Sequence, residues 1–209
     1  MKLTFKHFYT ILCLVLITIF SNGCFPVVAT GIVATAVAVT DRRTAGIIVE
    51  DETIELKSLK SIKNKYSKKL VSVSITSFNR TALLTGWVPN EGVSKEINDL
   101  VSNIANVREV INEISIGPVA TATTYAKDSI LTTKVKASLI DENSINANAI
   151  KVKTESNVVF LMGIVTERES DLAADIASRV VGTLRVVKAF EIVTEEELVE
   201  IEALVGAKK

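Results

Sequence analysis

The sequence predicts an α+β fold of two tandem αββαβ units, each a small three-stranded sheet with two helices packed on it. Three observations predict it. Asp51–Gly86 and Asp128–Gly163 recur at a constant offset of 77 (128 − 51 and 163 − 86). Matching residues fall at matching places: Ile54 with Leu131, Lys57 with Lys134, and Leu83-Leu84-Thr85-Gly86-Trp87-Val88 with Phe160-Leu161-Met162-Gly163-Ile164-Val165. Within each copy the apolar period also changes in one order: helical, alternating, alternating, helical, alternating.

Residues 1–23, ahead of the repeats, read as an export signal. Lys2 and Lys6 precede the apolar run Ile11–Phe20, and Ser21, Asn22 and Gly23 lead to Cys24. The run is too short to span a bilayer comfortably. The segment resembles a bacterial lipoprotein signal, in which cleavage before the cysteine follows diacylglycerol attachment to its sulfur. That makes Cys24 the expected lipid-attachment residue; the alternative is an uncleaved anchor with Cys24 incidental. Ser21 departs from the leucine usual three places before that cysteine. Phe25 stands where an aspartate would resemble an inner-membrane retention signal, so outer-membrane sorting is expected.

Processing there would remove Lys2, Lys6, His7 and Cys13, leaving no histidine and, once Cys24 is acylated, no free thiol. That excludes Ser-His-Asp and Cys-His catalysis, His-bearing metal sites and any disulfide. Basic residues drop to 22 against 24 acids, a net charge of −2 (22 − 24), which gives no general attraction to nucleic acid. Residues 24–46 read as anchor and linker: Phe25–Thr40 is rich in Val and Ala, and its β-branched residues and Gly31 disfavour a helix.

The first unit is expected over 47–117 and the second over 124–194, with 118–123 between them. Ile54, Ser58 and Ile62 in one copy and Leu131, Val135 and Leu139 in the other mark the first helix at i, i+4, i+8. Val71, Val73 and Ile75, and Ile150 and Val152, alternate with polar residues and precede the apolar runs ending at Val88 and Val165. Hairpin turns are expected at Ser77-Phe78-Asn79-Arg80 and Glu155-Ser156-Asn157. Gly86 and Gly163 lie inside strands, where glycine marks a bulge or a close backbone approach. Val93, Ile97, Leu100, Val101 and Ile104 mark one second helix; Leu172, Ile176, Val180 and Val181 mark the other. Last strands follow around Val110–Ile116 and Val186–Val193. Residues 195–209 read as a C-terminal acidic helix or tail: Thr194 can cap a helix there, whose apolar edge is Leu198, Ile201, Leu204 and Val205.

This order resembles the BON domain, and the pair behind Cys24 resembles tandem BON-domain outer-membrane lipoproteins. The densest similarity lies in Leu131–Lys136, Val159–Glu169 and Ala173–Val180, and Asp41-Arg42-Arg43 also fits the pattern. The resemblance implies a periplasm-facing envelope protein without enzymatic activity or cofactor that supports outer-membrane integrity. It further implies binding of anionic phospholipid, such as phosphatidylglycerol or cardiolipin, mainly through the first helix of the second domain. Envelope or division-site proteins are the other partners it implies.

The residues themselves place Lys127, Ile130 and Lys134 on one stripe, by i, i+3, i+7 spacing, beside the core stripe of Leu131. An apolar chain flanked by ammonium groups suits a bilayer surface, although a solvated lysine-bearing face has the same spacing. Leu131 and Thr133 join this site only through the resemblance, and by spacing Leu131 reads as core. Members of the family can carry tryptophan where this chain has Ile130. A rival basic surface, Lys57, Lys60, Lys63, Lys65, Lys68 and Lys69, lies in copy one and reads as a solvated face or an electrostatic contact to lipid or anionic glycan. The alternative function is an interaction scaffold whose acyl anchor alone supplies membrane attachment. Glu167, Glu169 and Asp171 are the carboxylates an enzyme would offer, but they fall at a helix start, where capping and the helix dipole explain them.

Overall fold

A computed structural model describes residues 41–67 and 69–206. Cys24 and the leader lie outside the described residues. The first helix, α1 (Ala45–Lys65), buries Asp51, Ile54, Ser58 and Ile62. It starts ahead of the repeat because Thr44 caps it, accepting from the Ile47 amide. Strands β1 (Ser72–Phe78) and β2 (Thr81–Val88) pair antiparallel. Asn79 and Arg80 between them have φ of +48° and +65°, as a tight mirror-image hairpin turn requires. Helix α2 (Glu91–Ser102), capped by Asn90, leads to β3 (Glu109–Ile116), which lies parallel to β2.

The second copy repeats this with α3 (Ala122–Ile140), a short 3-10 turn, β4 (Ile150–Glu155), β5 (Val158–Val165), α4 (Glu167–Arg179) and β6 (Arg185–Ile192). Ser156 and Asn157 form its hairpin turn, with φ of +51° and +65°. The sheets are ordered β1-β2-β3 and β4-β5-β6. Helix α5 (Glu195–Gly206) follows, with Thr194 accepting from the Glu197 amide and Glu197 from the Thr194 amide (3.1 and 2.8 Å).

Two expectations need correction. The buried face of α4 centres on Ala173 and Ala177, with Leu172, Ile176 and Val180 only partly buried against them. Val181 lies beyond the helix end and is 85% exposed, and Ile104 of copy one likewise lies beyond the end of α2 at Ser102. Leu204 on α5 is exposed too, so that helix buries only Leu198 fully.

Both glycines are close approaches of backbone. A Cβ at Gly86, whose φ is +119°, would stand 2.1 Å from the Ser72 carbonyl oxygen, and one at Gly163 would stand 2.6 Å from that of Ala149.

Each helix pair covers one face of its sheet, giving one core around Ile54, Leu84 and Ile97 and another around Leu131, Leu161 and Ala177. The opposite faces are not left to solvent. Phe78 and Leu83 of the first copy form a third core with Phe160, Met162, Ile164 and Ala189 of the second, joined by Ile201 of α5. Strands buried on both faces read as continuous apolar runs, which is what Phe160-Leu161-Met162 is.

Ion pairs rim this shared core. Lys151 donates to Glu55 (3.0 Å) and to the Ser77 carbonyl (3.1 Å), Arg185 pairs with Glu113 (2.9 Å), and Arg108 pairs with Glu191. The two arginines before α1 take one domain each. Arg43 pairs with Asp51 (2.8 Å) and lies 4.0 Å over the Phe78 ring; Arg42 pairs with Glu169 (2.7 Å) and donates to the Ile164 carbonyl (2.8 Å).

Candidate functional site

Helix α3 starts at Ala122, because Thr121 accepts from the Thr124 amide (3.3 Å). Its first turn is tied to the first copy through the Tyr125 and Ser72 hydroxyls, 2.7 Å apart. Asp128, Leu131, Val135 and Leu139 face inward. Thr132 lies on the β4 side, donating to Thr154 (2.8 Å). At 100° per residue, Lys127, Ile130 and Lys134 therefore share the flank away from β4, towards α4, against which α3 packs.

Of the five residues expected to bind phospholipid, four are at the surface. Lys127, Thr133 and Lys134 are exposed, and Ile130 is 58% exposed. The Thr133 hydroxyl donates to the Ser129 carbonyl one turn back (3.0 Å), so its hydrogen is engaged and it offers a ligand its methyl and an acceptor oxygen. Leu131 is not with them: it is 3% exposed and belongs to the core of the second domain, so its side chain supports the surface from beneath. Lys127 and Lys134, two turns or about 10.5 Å apart along the axis, have no ion-pair partner among the described residues.

Copy one is an internal control. At the offset of 77, Lys127, Ile130 and Lys134 correspond to Glu50, Thr53 and Lys57, a stripe with an acid, a hydroxyl and one cation. The rival lysines at 57, 60, 63, 65 and 69 are exposed, and Leu56, 66% exposed, stands one turn before Lys60, but the acid Glu52 lies one turn to its other side where Ile130 has a cation on both, and Lys65 pairs with Glu96. Lys68 lies outside the described residues.

Sequence reasoning missed the buried acids that fix the frame of this site. Asp128 accepts from the amides of Ser156 and Asn157 (2.8 and 2.9 Å), and Asp51 accepts from those of Asn79 and Arg80 (both 2.8 Å). Each holds its hairpin turn in the left-handed conformation from the neighbouring helix. The signal was available: both open the repeat, at offset 77.

Glu169 was read as a helix-start acid, and it does form a capping box with Thr166. Burial works to raise its carboxyl, but the Arg42 guanidinium and the Thr166 amide outweigh that and hold it below the usual carboxylate range. These are structural tasks. No group of three or more His, Cys, Asp or Glu that could hold a metal occurs among the described residues, and no helix there is long and apolar enough to cross a membrane.

Comparison with known proteins places this geometry. The BON domain family matches residues 50–118 and 127–194. The chain is 37% identical to the outer membrane lipoprotein DolP of Haemophilus influenzae over 175 residues, 83% of this chain and 91% of that protein. It is 30% identical to the 21 kDa hemolysin of Actinobacillus pleuropneumoniae, over 73% of this chain and 79% of that one. It is 24% identical to the osmotically-inducible protein Y of Escherichia coli, over 66% and 70% respectively. With two matched domains, each an αββαβ unit, and similarity to DolP along most of its length, the chain belongs to the BON-domain family as a tandem-domain envelope lipoprotein of the DolP kind.

Proposed function

We propose that this protein is tethered to the outer membrane by an acyl group on Cys24, faces the periplasm, and binds anionic phospholipid through its second BON domain. Lys127, Ile130, Thr133 and Lys134 make the contact, phosphatidylglycerol or cardiolipin is the lipid, and support of outer-membrane integrity is the outcome. The role is one of binding, without catalysis.

One observation carries this reading: in copy two Ile130 is exposed between two lysines that have no ion-pair partner among the described residues, where copy one has Thr53 between Glu50 and Lys57. An apolar side chain enters the acyl boundary while ammonium groups meet phosphates, and neither works as well alone. The test is sedimentation of the unacylated chain with vesicles. Binding to phosphatidylglycerol vesicles but not to phosphatidylcholine vesicles supports the proposal; equal or absent binding to both removes it.

The second reading, a scaffold for envelope proteins, is favoured by Val199 and Leu204, both exposed on α5. It predicts that Ile130 and Lys134 can be replaced without loss of localisation while the anchor is intact.

A further inference from the structure

The loop joining α4 to β6 carries the two most exposed large apolar side chains among the described residues, Val181 at 85% and Leu184 at 80%. Its backbone copies the loop joining α2 to β3. The Ile104 amide donates to the Val101 carbonyl and the Val107 amide to that of Ile104; Val180 donates to Ala177 and Thr183 to Val180 in the same way. The Arg108 and Leu184 amides donate to the hairpin residues Arg80 and Asn157 (2.8 and 2.9 Å). Asn106 and Gly182 both take positive φ, +70° and +110°. These matches pair Val181 with Ala105 and Leu184 with Arg108. On one backbone, copy one presents a methyl and a guanidinium, and copy two presents two branched apolar chains.

The loop also lies beside the surface already described. A Cβ on Gly182 would stand 3.7 Å from Cδ1 of Leu131, the neighbour of Ile130. Asn157 donates its side-chain amide to the Gly182 carbonyl (2.8 Å), and the same hairpin is held by Asp128 of α3. The loop thus rests on the N-terminal half of α3, whose outer flank, facing α4, carries Lys127, Ile130 and Lys134. Arg179, just before it, is already paired with Asp175 (2.7 Å).

We infer that Val181 and Leu184 form, with Ile130, a second point of insertion into an anionic bilayer, so that the second domain docks on a helix flank and a loop together. This rests on the proposed lipid binding and adds a site to it. An isoleucine lacks the interfacial preference of an indole. Two further apolar chains, on a loop that rests against α3, supply buried apolar area that one residue cannot. Charge complementarity selects the occupant: the lysines meet anionic head groups while the three apolar chains pass between them.

The test uses the intact acylated chain in vesicles of phosphatidylglycerol and phosphatidylcholine with brominated acyl chains, which quench indole fluorescence on contact. Single tryptophans are introduced as Leu184→Trp, Ile130→Trp and Ala105→Trp, and the unaltered chain, whose one tryptophan is Trp87, gives the baseline. All three positions are exposed, so each variant keeps the fold. Severalfold stronger quenching at 184 and 130 than at 105, lost when phosphatidylglycerol is omitted, is the expected result. Quenching at 130 without 184 overturns the second insertion point and leaves the helix site standing. Quenching at neither overturns both, and equal quenching at all three reduces the contact to nonspecific crowding by the tether, which also overturns the inference.

Discussion

Arg42 and Glu169 form a bidentate pair, at 2.7 and 2.9 Å, although 127 residues separate them and both side chains are almost wholly buried. Arg42 also reaches the Ile164 carbonyl and Glu202 of α5 (2.8 and 3.1 Å), so one residue ahead of the first domain fastens three elements beyond it. A buried charge stripped of its partner is costly. Arg42→Met is therefore expected to destabilise the protein by about 3–5 kcal/mol. Adding Glu169→Gln, which keeps the helix cap but removes the orphaned charge, should recover part of the loss. Urea unfolding of both variants checks this; a double variant as unstable as the single one refutes it.

The buried Glu169 and Glu155 and the half-buried Glu191 predict opposite responses to pH. Burial raises Glu169 and Glu191, but Arg42 and Arg108 respectively outweigh it, so both sit below their ordinary value of 4.5. Their contribution is complete above that value and is lost as pH falls through the lowered folded values. Glu155 behaves the other way: burial raises it, Lys153 partly offsets this, and Asp128 adds to it. Its folded form favours the proton, so its ionisation costs stability as pH rises above 4.5. Glu155→Gln should stabilise the protein more at pH 7, where the buried carboxyl is driven to ionise, than at pH 4. Denaturation at the two pH values measures the difference, and an equal change at both contradicts it.

The shared core predicts joint unfolding. Phe160 and Met162 complete the face that Phe78 and Leu83 offer, so the unaltered protein should melt in one calorimetric transition. Phe160→Ala is expected to cost about 3–5 kcal/mol. Because the loss falls between the domains, the melt should separate into two transitions. A single transition shifted to lower temperature would show that the domains are coupled elsewhere.

Local periodicity was enough to read each domain from the sequence. Leu131, Val135 and Leu139 are buried as their spacing requires, and Asn79 and Asn157 sit in the hairpins where the strand pattern breaks. The pairing of one domain with the other was not readable, because its residues are far apart in sequence and look ordinary where they stand. Arg42 is simply a linker cation until Glu169 is placed against it. Asp51 and Asp128 interrupt apolar stripes and read as solvent-facing until the hairpins, 28 and 29 residues on, present their amides. Val181 was misread for the reverse reason: its apolar character extended a helical pattern, whereas the chain leaves the helix at Arg179 and turns at Gly182.

The proposed lipid surface predicts a graded loss of affinity. A lysine close to an anionic membrane contributes about 1 kcal/mol, roughly fivefold in affinity. Lys127→Gln and Lys134→Gln should each weaken binding to phosphatidylglycerol vesicles by about that factor, and together by roughly 30-fold, with a shallower dependence on salt. Lys57→Gln, at the place in copy one that matches Lys134, and Lys60→Gln should change little, since Thr53 stands where copy two has Ile130 and the exposed Leu56 beside them has Glu52, not a cation, one turn before it. Vesicle titration of the unacylated chain at two salt concentrations separates the outcomes. If removing Lys57 and Lys60 weakens binding while removing Lys127 and Lys134 does not, the membrane contact belongs to α1 of the first domain, and the assignment to α3 fails.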